Sequence, residues 1–403
     1  MALTERERRV CDLIRGRERA LVEDLRLHVG LATGGRNVGA LDETRERLCG
    51  RAAALGARVE SVPGVARPEW LYGEVAGQAP LPTAVCRRNG VDGKELLIAG
   101  HLDTVHDPAG SFRELVVSAD GTRAVGPGCV DMKGGLVIAL AALEVLEEVG
   151  AKLSWTLLLN SDEETGSYHS APAIRAEAGR VAKAGGIGIA LEPATADGGL
   201  VVERAGSGQF VIECRGRAAH VGRDFAAGVS AVDALAEMIL RVREMAKTMP
   251  GVPVNVGPLQ GGAATNAVPD LARAWGNVRF ADAAQAAAIE RGLMALRGKA
   301  SNGAEVRVEC CVARDAKPLT PEVQAFAEMC RGCAEDLGQM LPFAKTAGVC
   351  DGNIMQGAGL TTIDTLGVRG GGLHTPEEWI EMGSLVERCQ LLAVVMMRVG
   401  RGE

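Results

Sequence analysis

The sequence predicts an α/β protein in which a smaller α+β unit is inserted into a larger α/β sandwich. Short runs that are apolar throughout alternate with segments of helical periodicity, and between about residues 205 and 316 a separate β-α-β-β-α-β pattern replaces this alternation. Strands that alternate with helices are typical of α/β sheets. Runs that are apolar throughout indicate strands that are covered on both faces.

Composition excludes several classes of protein. The chain has 403 residues, of which 47% are hydrophobic and 24% charged, as in an ordinary globular protein of two or three domains. No apolar run reaches the roughly 18 residues that span a bilayer, and a net charge of -7 argues against a general nucleic-acid binder. The first twenty residues lack the apolar segment of a signal peptide, and eleven scattered cysteines fit free thiols in a reducing compartment. We therefore expect a cytoplasmic protein without membrane or nucleic-acid partners.

The larger unit begins with helices near residues 3–30 and 41–55, where Leu, Arg and Glu recur at helical spacing. Four short strand-like runs follow, and after them come one buried, glycine-led helix and two central strands. The four runs are Ala57–Ser61, Glu69–Val75, Thr83–Arg87 and Glu95–Ala99, the helix is Gly134–Val149, and the central strands are Leu153–Leu159 and Ile187–Leu191.

The inserted unit is predicted to be a small four-stranded sheet with two helices on one face, a ferredoxin-like arrangement. Its strands are Gln209–Arg215, Val252–Val256, Ala272–Phe280 and Glu305–Val312, and its helices are Val229–Lys247 and Asp282–Leu296. The α/β pattern resumes after Pro318. We therefore predict a discontinuous domain of residues 1–204 and 317–403 around an inserted domain of residues 205–316.

Polar residues follow the predicted central strands. His101 and Asp103 come directly after the apolar run LLIAG, and an extended backbone turns both side chains to one side. A carboxylate beside an imidazole is the usual partner of a metal-bound histidine. A surface histidine with a solvated aspartate is the alternative.

Two further stretches carry acids. Asp131 lies between glycines in GPGCVDMKGG, which fits either a carboxylate that bridges two cations or a helix N-cap beside an exposed Lys133. Glu163 and Glu164 lie in SDEETGS at the end of a central strand, where open α/β sheets place their sites. One glutamate could bind metal while its neighbour acts as general base, and an acidic helix start is the alternative.

Glu192 and His374 complete the pattern. Glu192 ends the run IGIAL, and His374 follows three glycines in GGGLHTPEE, where Thr375–Glu378 also looks like a helix start. Two histidines and three or four carboxylates thus lie at strand ends or in glycine-rich loops. Nitrogen and oxygen ligands without a cysteine cluster suit Zn, Co or Mn, and two such ions can share one aspartate.

Together these stretches resemble the M20 family of metallopeptidases and deacylases. The supporting stretches, in family order, are GHLDTV, GPGCVDMKGG, SDEETGS, LEP, GRAAHVG, TNAVPD, NVRF, CDGN and GGGLHTPEE. The resemblance runs from about residue 20 to the C-terminus and is closest to the glutamate carboxypeptidase branch, which includes the folate-cleaving carboxypeptidase. It implies a mixed-sheet α/β/α di-metal hydrolase domain, with the inserted unit as a lid and dimerisation domain.

The resemblance also implies a role for each candidate residue. The two divalent ions, most simply zinc, would be held by His101 and Glu192 on one side, by Glu164 and His374 on the other, and by Asp131 between them. Asp103 would orient His101, and Glu163 would be the general base that deprotonates the attacking water. The peptide bond Asp131–Met132 is expected to be cis.

Four residues are expected to meet the substrate. His220 in GRAAHVG would stabilise the tetrahedral oxyanion, in the family often at the partner subunit's site, and Asn266 and Arg279 would hold a substrate carboxylate. Gly371, in the loop before His374, is expected at the substrate as well. A homodimer is expected through the inserted unit, because the exposed edge of its sheet can pair with a second copy.

The expected activity is hydrolysis of an amide bond next to a free carboxylate, most simply release of a C-terminal, glutamate-like amino acid. Residues 196–202 offer no cationic partner for an acidic side chain, so an N-acyl amino-acid deacylase or a dipeptidase is the alternative. A non-catalytic binding protein would lack a ligand or Glu163, and each of these residues is present. A thiol-dependent enzyme that uses Cys129 or Cys350 is a further possibility.

Overall fold

A mixed six-stranded sheet forms the centre of the larger part of the molecule. The computed structural model describes residues 2–35, 37–73, 79–90 and 92–402. Over these residues the helices are, in chain order, α1 (Glu5–Arg15), α2 (Glu18–Gly30), α3 (Val38–Ala54), α4 (Gly134–Glu148), α5 (Ala171–Lys183), α6 (Ala231–Lys247), α7 (Ala283–Met294), α8 (Pro321–Asp336), α9 (Asp351–Gly357) and α10 (Gly383–Gly400). Single turns of other helical types are Cys129–Lys133, Glu163–Thr165 and Phe225–Ala227.

Most of the strands are short. In chain order they are β1 (Arg58–Val62), β2 (Thr83–Arg88), β3 (Asp92–His101), β4 (Val116–Val117), β5 (Arg123–Val125), β6 (Leu153–Asn160), β7 (Ile187–Ala190), β8 (Leu200–Arg204), β9 (Gly206–Arg215), β10 (Val254–Gly261), β11 (Leu271–Phe280), β12 (Gly298–Lys299), β13 (Glu305–Arg314), β14 (Phe343–Thr346), β15 (Thr362–Ile363), β16 (Gly370–Gly371) and β17 (Trp379–Glu381).

The central sheet has the strand order β1-β2-β6-β3-β7-β15. β1, β2 and β6 are antiparallel neighbours, whereas β6, β3, β7 and β15 run parallel. The parallel strands end at one edge, since His101 at the end of β3 pairs with Asn160 at the end of β6, and Ala190 at the end of β7 pairs with Ala99. The loops that follow β3, β6 and β7 carry predicted site residues, at the edge where α/β sheets bind their ligands.

Alternate side chains of β3 enter different hydrophobic cores on the two faces of the sheet. Leu96 and Ile98 belong to a core shared with α1 to α4, α8 and α10. Leu97 and Ala99 pack with α5 and α9 on the opposite face. The unbroken apolar runs therefore mark strands that are covered on both sides, as predicted, and the predicted buried helix that begins at Gly134 is α4.

A second sheet, with strand order β10-β11-β9-β13-β12, is formed between residues 206 and 314. Its neighbouring strands are all antiparallel, and α6 and α7 share a hydrophobic core with it. The long elements follow the predicted β-α-β-β-α-β order. The two-residue β12 adds a fifth strand, which was not predicted because two residues are too few to show an alternating pattern. Among the described helices, none is both long and apolar enough to cross a membrane.

The predicted strand Glu69–Val75 is wrong over its described part. Residues 69–73 form turns and bends, and the remainder of the run lies outside the described residues. The backbone carbonyl oxygen of Trp70 accepts a hydrogen bond from Nε1 of Trp275 at 2.6 Å. The ring of Tyr72 packs edge-on against Trp275, with centroids 5.2 Å apart. Contacts of these residues with β11, rather than strand pairing, hold this segment.

The buried carboxylate of Asp364 contacts both segments in which the chain passes between the two sheets. Arg204 and Lys317 pair with each other through backbone hydrogen bonds of 2.9 and 3.0 Å, one before and one after the second sheet. The Asp364 carboxylate lies 2.7 Å from Nη2 of Arg204 and 3.3 Å from Nζ of Lys317, and all three side chains are buried. The two cations hold the pKa of Asp364 below its usual value against the opposing effect of burial.

Replacement of Asp364 is expected to destabilise the protein strongly. Asp364→Asn leaves Arg204 and Lys317 buried without a counter-charge, and breaking a buried ion pair in this way costs about 3–5 kcal/mol. Urea unfolding at neutral pH measures the loss. The exposed Glu335→Gln on α8 is the matched control, and equal unfolding midpoints for the two variants would contradict this role of Asp364.

Candidate metal centre

His101 is buried at the end of β3 with acceptors around its ring. Nδ1 lies 3.0 Å from the backbone carbonyl oxygen of Asp103 and 3.5 Å from its carboxylate, so Nδ1 carries the proton of the neutral ring and Nε2 can bind metal. Burial opposes a charged ring, but hydrogen bonds with Asp103 and Asp131 raise the pKa of His101 well above its usual value. Asp103 also accepts from the backbone N–H groups of Glu163 and Glu164, at 3.2 and 3.0 Å.

Asp131 lies in the irregular turn Cys129–Lys133, immediately before α4. Gly128 precedes this turn with a φ of 68°, and a Cβ at that position would lie 2.6 Å from Cγ2 of Thr104. Glycine is therefore required there for both its conformation and its size. The peptide bond between Asp131 and Met132 is cis, as the resemblance implied.

The two oxygens of Asp131 face two histidines from distant parts of the chain. Oδ1 lies 3.3 Å from Nε2 of His101, and Oδ2 lies 3.4 Å from Nε2 of His374. Nε2 of His374 also lies 3.3 Å from Oε2 of Glu164. Hydrogen bonds with Asp131 and Glu164 raise the pKa of His374 to about 10. Burial opposes the charge of Asp131, yet the two histidines hold its pKa well below the usual value.

Glu378 holds the turn that carries Asp131. Its carboxylate accepts hydrogen bonds from the backbone N–H groups of Gly128, Val130 and Asp131, at 2.9, 3.0 and 3.0 Å. It also lies 2.6 Å from Nε2 of His106. The prediction of a helix that starts at Thr375–Glu378 is wrong, because these residues form a turn before β17. The Glu378 carboxylate accepts hydrogen bonds from a distant loop instead of capping a helix.

Lys133 is buried. This contradicts the alternative in which Asp131 caps a helix beside an exposed Lys133. Its Nζ donates to the backbone carbonyl oxygen of Leu31 at 2.8 Å, and burial lowers its pKa to about 7.

The segment that carries His374 is placed by strand pairing, since β17 lies between β16 and β5. This small sheet brings the loop of His374 beside the loop of Asp131.

Glu163 pairs with a residue that the sequence analysis did not single out. Its Oε1 lies 2.6 Å from Nη2 of Arg314, at the end of β13. The same nitrogen donates to the backbone carbonyl oxygen of Glu163 at 3.0 Å and to Oγ of Ser167 at 2.8 Å. Burial raises the pKa of Glu163 to about 8, although the charge of Arg314 opposes this rise. A charged residue at the end of an alternating strand is the only sequence signal for Arg314.

The donor set fits divalent cations. Ligand atoms of His101, Asp131 and Glu164 all lie within 4.8 Å of one another. Burial, and then the charge of Glu163, raises the pKa of the buried Glu192 well above its usual value, and burial also raises the pKa of Glu164. Cations at this place would favour the ionised carboxylates, and imidazole with carboxylate ligands suits zinc, cobalt or manganese.

The predicted substrate residues of the second sheet do not contact this cluster. His220 is exposed, and its Nδ1 accepts a hydrogen bond from the backbone N–H of Gly222 at 3.1 Å. The backbone carbonyl oxygen of Asn266 accepts one from the backbone N–H of Val221. Arg279 donates to the side chains of Ser207 and Asn277. Within the described residues, no hydrogen bond or ion pair joins His220, Asn266 or Arg279 to the histidines and carboxylates above. Gly371 lies in β16, three residues before His374 and beside Trp379.

A cleft of about 600 Å³ adjoins the cluster. Asp103 and Glu164 form part of its wall, and His106 and His169 also line it. Its other walls carry Arg67, whose guanidinium lies 5.9 Å from the ring centroid of Tyr168, and the exposed Tyr72. The cluster therefore opens to a space large enough for a small substrate.

An α/β sandwich with this histidine and carboxylate cluster at its strand ends is suited to metal-dependent hydrolysis, the class to which the matching peptidase family belongs. Residues 97–398 match peptidase family M20/M25/M40, and the chain belongs to this family.

Two relatives show how wide the family is. The chain is 28% identical over 330 residues to carboxypeptidase G2 of Pseudomonas sp. strain RS-16, covering 78% of this chain and 76% of the relative. It is 26% identical over 386 residues to succinyl-diaminopimelate desuccinylase of Methylobacterium sp. strain 4-46, covering 87% and 89%. The first name is that of a carboxypeptidase and the second that of a desuccinylase, so the two relatives act on different substrates.

Solved structures share the fold over nearly the whole chain. Aminopeptidase PepT from Bacillus cereus superposes with a TM-score of 0.69 at 21% identity, covering 95% of this chain and 98% of the other. The metallo-carboxypeptidase Sso-CP2 from Sulfolobus solfataricus superposes with a TM-score of 0.70 at 16% identity, covering 94% and 99%. At these identities the likeness concerns the fold alone.

Loss of the Glu378 charge is expected to weaken metal binding. Glu378→Gln has a single acceptor oxygen for three backbone N–H groups, so the turn of Asp131 loosens and zinc affinity falls about 10–100-fold. Competition with a chromophoric chelator measures this affinity. The adjacent, exposed Glu377→Gln is the matched control, and equal zinc affinity in both variants would show that Glu378 does not support the site.

Proposed function

We propose that this protein is a di-metal amidohydrolase that cleaves an amide bond next to a free carboxylate and releases a C-terminal amino acid. The observation that carries the proposal is the position of Asp131, whose two oxygens face His101 and His374 beside Glu164 and Glu163. A carboxylate shared in this way is the arrangement that a two-ion site requires. The free thiols of the described cysteines support a cytoplasmic location.

His101 and Glu192 would hold one ion, Glu164 and His374 the other, and Asp131 would contact both. When bound, the ions, most simply zinc, would supply a Lewis acid for the scissile carbonyl and would lower the pKa of the attacking water. Asp103 supports this set in two ways, because it fixes the ring of His101 and accepts from the backbone of Glu164.

Glu163 is the residue to which we assign proton transfer. Arg314 engages Oε1, which leaves Oε2 to accept a proton from the attacking water and to return it to the leaving amine. The guanidinium of Arg314 also donates to the backbone carbonyl oxygen of Glu163 and to Ser167, so it contacts the loop of Glu163 at three points. Such fixed geometry favours proton transfer without reorganisation of the site.

The second sheet would supply the groups for the carboxylate end of the substrate. A guanidinium binds a carboxylate with two parallel hydrogen bonds, which suits Arg279, and Asn266 can donate a further one. His220 would stabilise the oxyanion, and Gly371 would let the substrate approach the loop of His374. Since none of the first three contacts the cluster, we propose that closure of the second sheet or a partner subunit brings them to it.

The cleft beside the cluster would take the acyl side of the scissile bond. Only two tyrosines occur among the 403 residues, and both Tyr72 and Tyr168 line this cleft. Gln209 donates to the hydroxyl of Tyr168 at 2.8 Å, and Trp275 holds the ring of Tyr72. Rings fixed in this way favour a planar, aromatic acyl group.

An N-acyl amino-acid deacylase or a dipeptidase with the same site is the second candidate. Residues 196–202 carry no cation for an acidic side chain, and the desuccinylase among the relatives supports this interpretation. A non-catalytic binding protein has less support, because every residue needed for catalysis is present. A thiol-dependent enzyme also has less support, because burial raises the pKa values of Cys129 and Cys350 and keeps both thiols protonated.

The test combines metal analysis with a substrate panel. Purified protein is expected to hold close to two equivalents of a transition metal and to lose hydrolysis on chelation, because both ions take part in the reaction. The panel consists of N-benzoyl, N-acetyl and N-succinyl derivatives of glutamate and leucine, with free dipeptides. The highest kcat/KM is expected for benzoyl amino acids, and turnover that survives metal removal would overturn the proposal.

Glu163→Gln separates catalysis from metal binding in the same assay. The variant is expected to keep its metal and to lose about 10²–10⁴-fold in kcat, the usual contribution of a general base. The exposed Glu335→Gln serves as control. Unchanged turnover in Glu163→Gln would remove this residue from the role.

We propose a homodimer formed through the second sheet. β10 is an edge strand of that sheet, and Leu259 on it is exposed. Phe225 and Leu240, elsewhere between residues 206 and 314, are exposed as well. An edge strand whose outer side is unpaired can pair with a second copy of the sheet. Multi-angle light scattering at micromolar concentration is expected to give the mass of two chains, and a single-chain mass would contradict the dimer.

A further inference from the structure

Two thiols meet across the boundary between α3 and the central sheet. Sγ of Cys49 lies 3.8 Å from Sγ of Cys86. Cys49 belongs to the last two turns of α3 and is half-buried, whereas Cys86 in β2 is fully buried. Neither thiol contacts the residues assigned to the metal centre among the described hydrogen bonds and ion pairs, so this pair is separate from the hydrolytic site.

The two thiols lie on elements of different kinds. Cys86 pairs with Val59 of β1 on one side and with Leu157 of β6 on the other, so its backbone is fixed within the sheet. Cys49 lies on α3, and its half-buried side chain packs at the margin of the hydrophobic core. A disulfide has an S–S length of about 2.05 Å, so the two sulfurs must approach by roughly 1.7 Å from their present separation.

The surroundings of Cys49 favour its thiolate more than those of other thiols in the chain do. The hydrogen bond from Cys86 and the charge of Arg45, one turn earlier on α3, lower the pKa of Cys49. Burial instead raises the pKa of the half-buried Cys310 to about 11, and of the buried Cys11 likewise to about 11. A partly exposed thiolate is the form that peroxides attack.

We propose that Cys49 and Cys86 form a peroxide-oxidisable dithiol, a modification site in which Cys49 is attacked first and Cys86 resolves it. The Cys49 thiolate attacks one oxygen of hydrogen peroxide, the O–O bond breaks, and the products are a Cys49 sulfenic acid and hydroxide, which takes up the thiol proton as water. The Cys86 sulfur then forms the S–S bond and displaces the sulfenic oxygen as a second water. Two thiols lose two electrons, and one peroxide is reduced to two waters.

The bond would join α3 to β2 and close a loop of the chain between residues 49 and 86. A cross-link of this kind restricts the unfolded chain, so the oxidised protein should resist unfolding more than the reduced protein. Peroxide treatment is therefore expected to raise the urea midpoint of the wild type, and dithiothreitol is expected to reverse the rise.

Peptide mapping of the full-length, metal-loaded protein tests the proposal. After peroxide treatment, alkylation in denaturant and digestion without reductant, mass spectrometry should find the Cys49 peptide joined to the Cys86 peptide. The joined peptide should be lost on reduction. Cys310→Ser, which removes a half-buried thiol of the second sheet, is the matched control and should form the joined peptide as the wild type does.

Two variants fix the order of events. Cys86→Ala should accumulate a dimedone-reactive sulfenic acid at Cys49, whereas Cys49→Ser should leave Cys86 unmodified because that thiol is buried. The wild-type map stands by itself if Cys86→Ala fails to fold. Alkylation of both cysteines after peroxide treatment of the wild type, with no joined peptide, would overturn the proposal, and so would dimedone labelling of Cys86 in Cys49→Ser.

Discussion

The site depends on one carboxylate, Asp131, and on the position in which its turn holds it. Oδ1 faces His101 from the end of the central strand β3, and Oδ2 faces His374 from a loop close to the C-terminus. Neither histidine could share this carboxylate if the turn had another conformation. Glu378 supplies the constraint, because its two oxygens accept three N–H groups of this loop and leave the Asp131 side chain free to point at the histidines.

The buried acids at this edge of the sheet are tolerated because cations of the protein compensate them. Glu163 has Arg314, Asp131 has two imidazoles, and Asp364 has Arg204 and Lys317. A buried carboxylate without a partner would lose its charge or destabilise the fold. Compensation is incomplete at Glu163, Glu164 and Glu192, since burial raises the pKa values of all three, that of Glu163 in spite of Arg314. Divalent cations would supply the positive charge that these carboxylates still lack.

Sequence reasoning found the parts of the site that local pattern controls. His101 and Glu192 follow apolar runs that can only be covered strands, and parallel strands bring their ends to one edge whatever the details of packing. Glu378 and Arg314 were missed, because each acts on a loop more than a hundred residues away and no spacing rule connects them. The strand wrongly predicted over residues 69–73 and the helix start wrongly predicted at Thr375 have the same cause, since distant side chains contact both segments.

The second sheet is tied to the larger unit close to the site, and this determines where it can bend. Arg314 contacts the loop of Glu163, and Lys317 lies three residues further on, held by Asp364 together with Arg204. The chain is therefore fixed up to Arg204, where it enters the second sheet, and from Arg314 onward, where it leaves that sheet. The register of β13 against β9 is irregular between Val312 and Arg314, on the far side of the fixed part. Arg279 and Arg314 both pair with Ser207 of β9, on the fixed side of this irregularity. The closure that we propose therefore moves His220 and Asn266 relative to Arg314, while Arg314 stays with the general base.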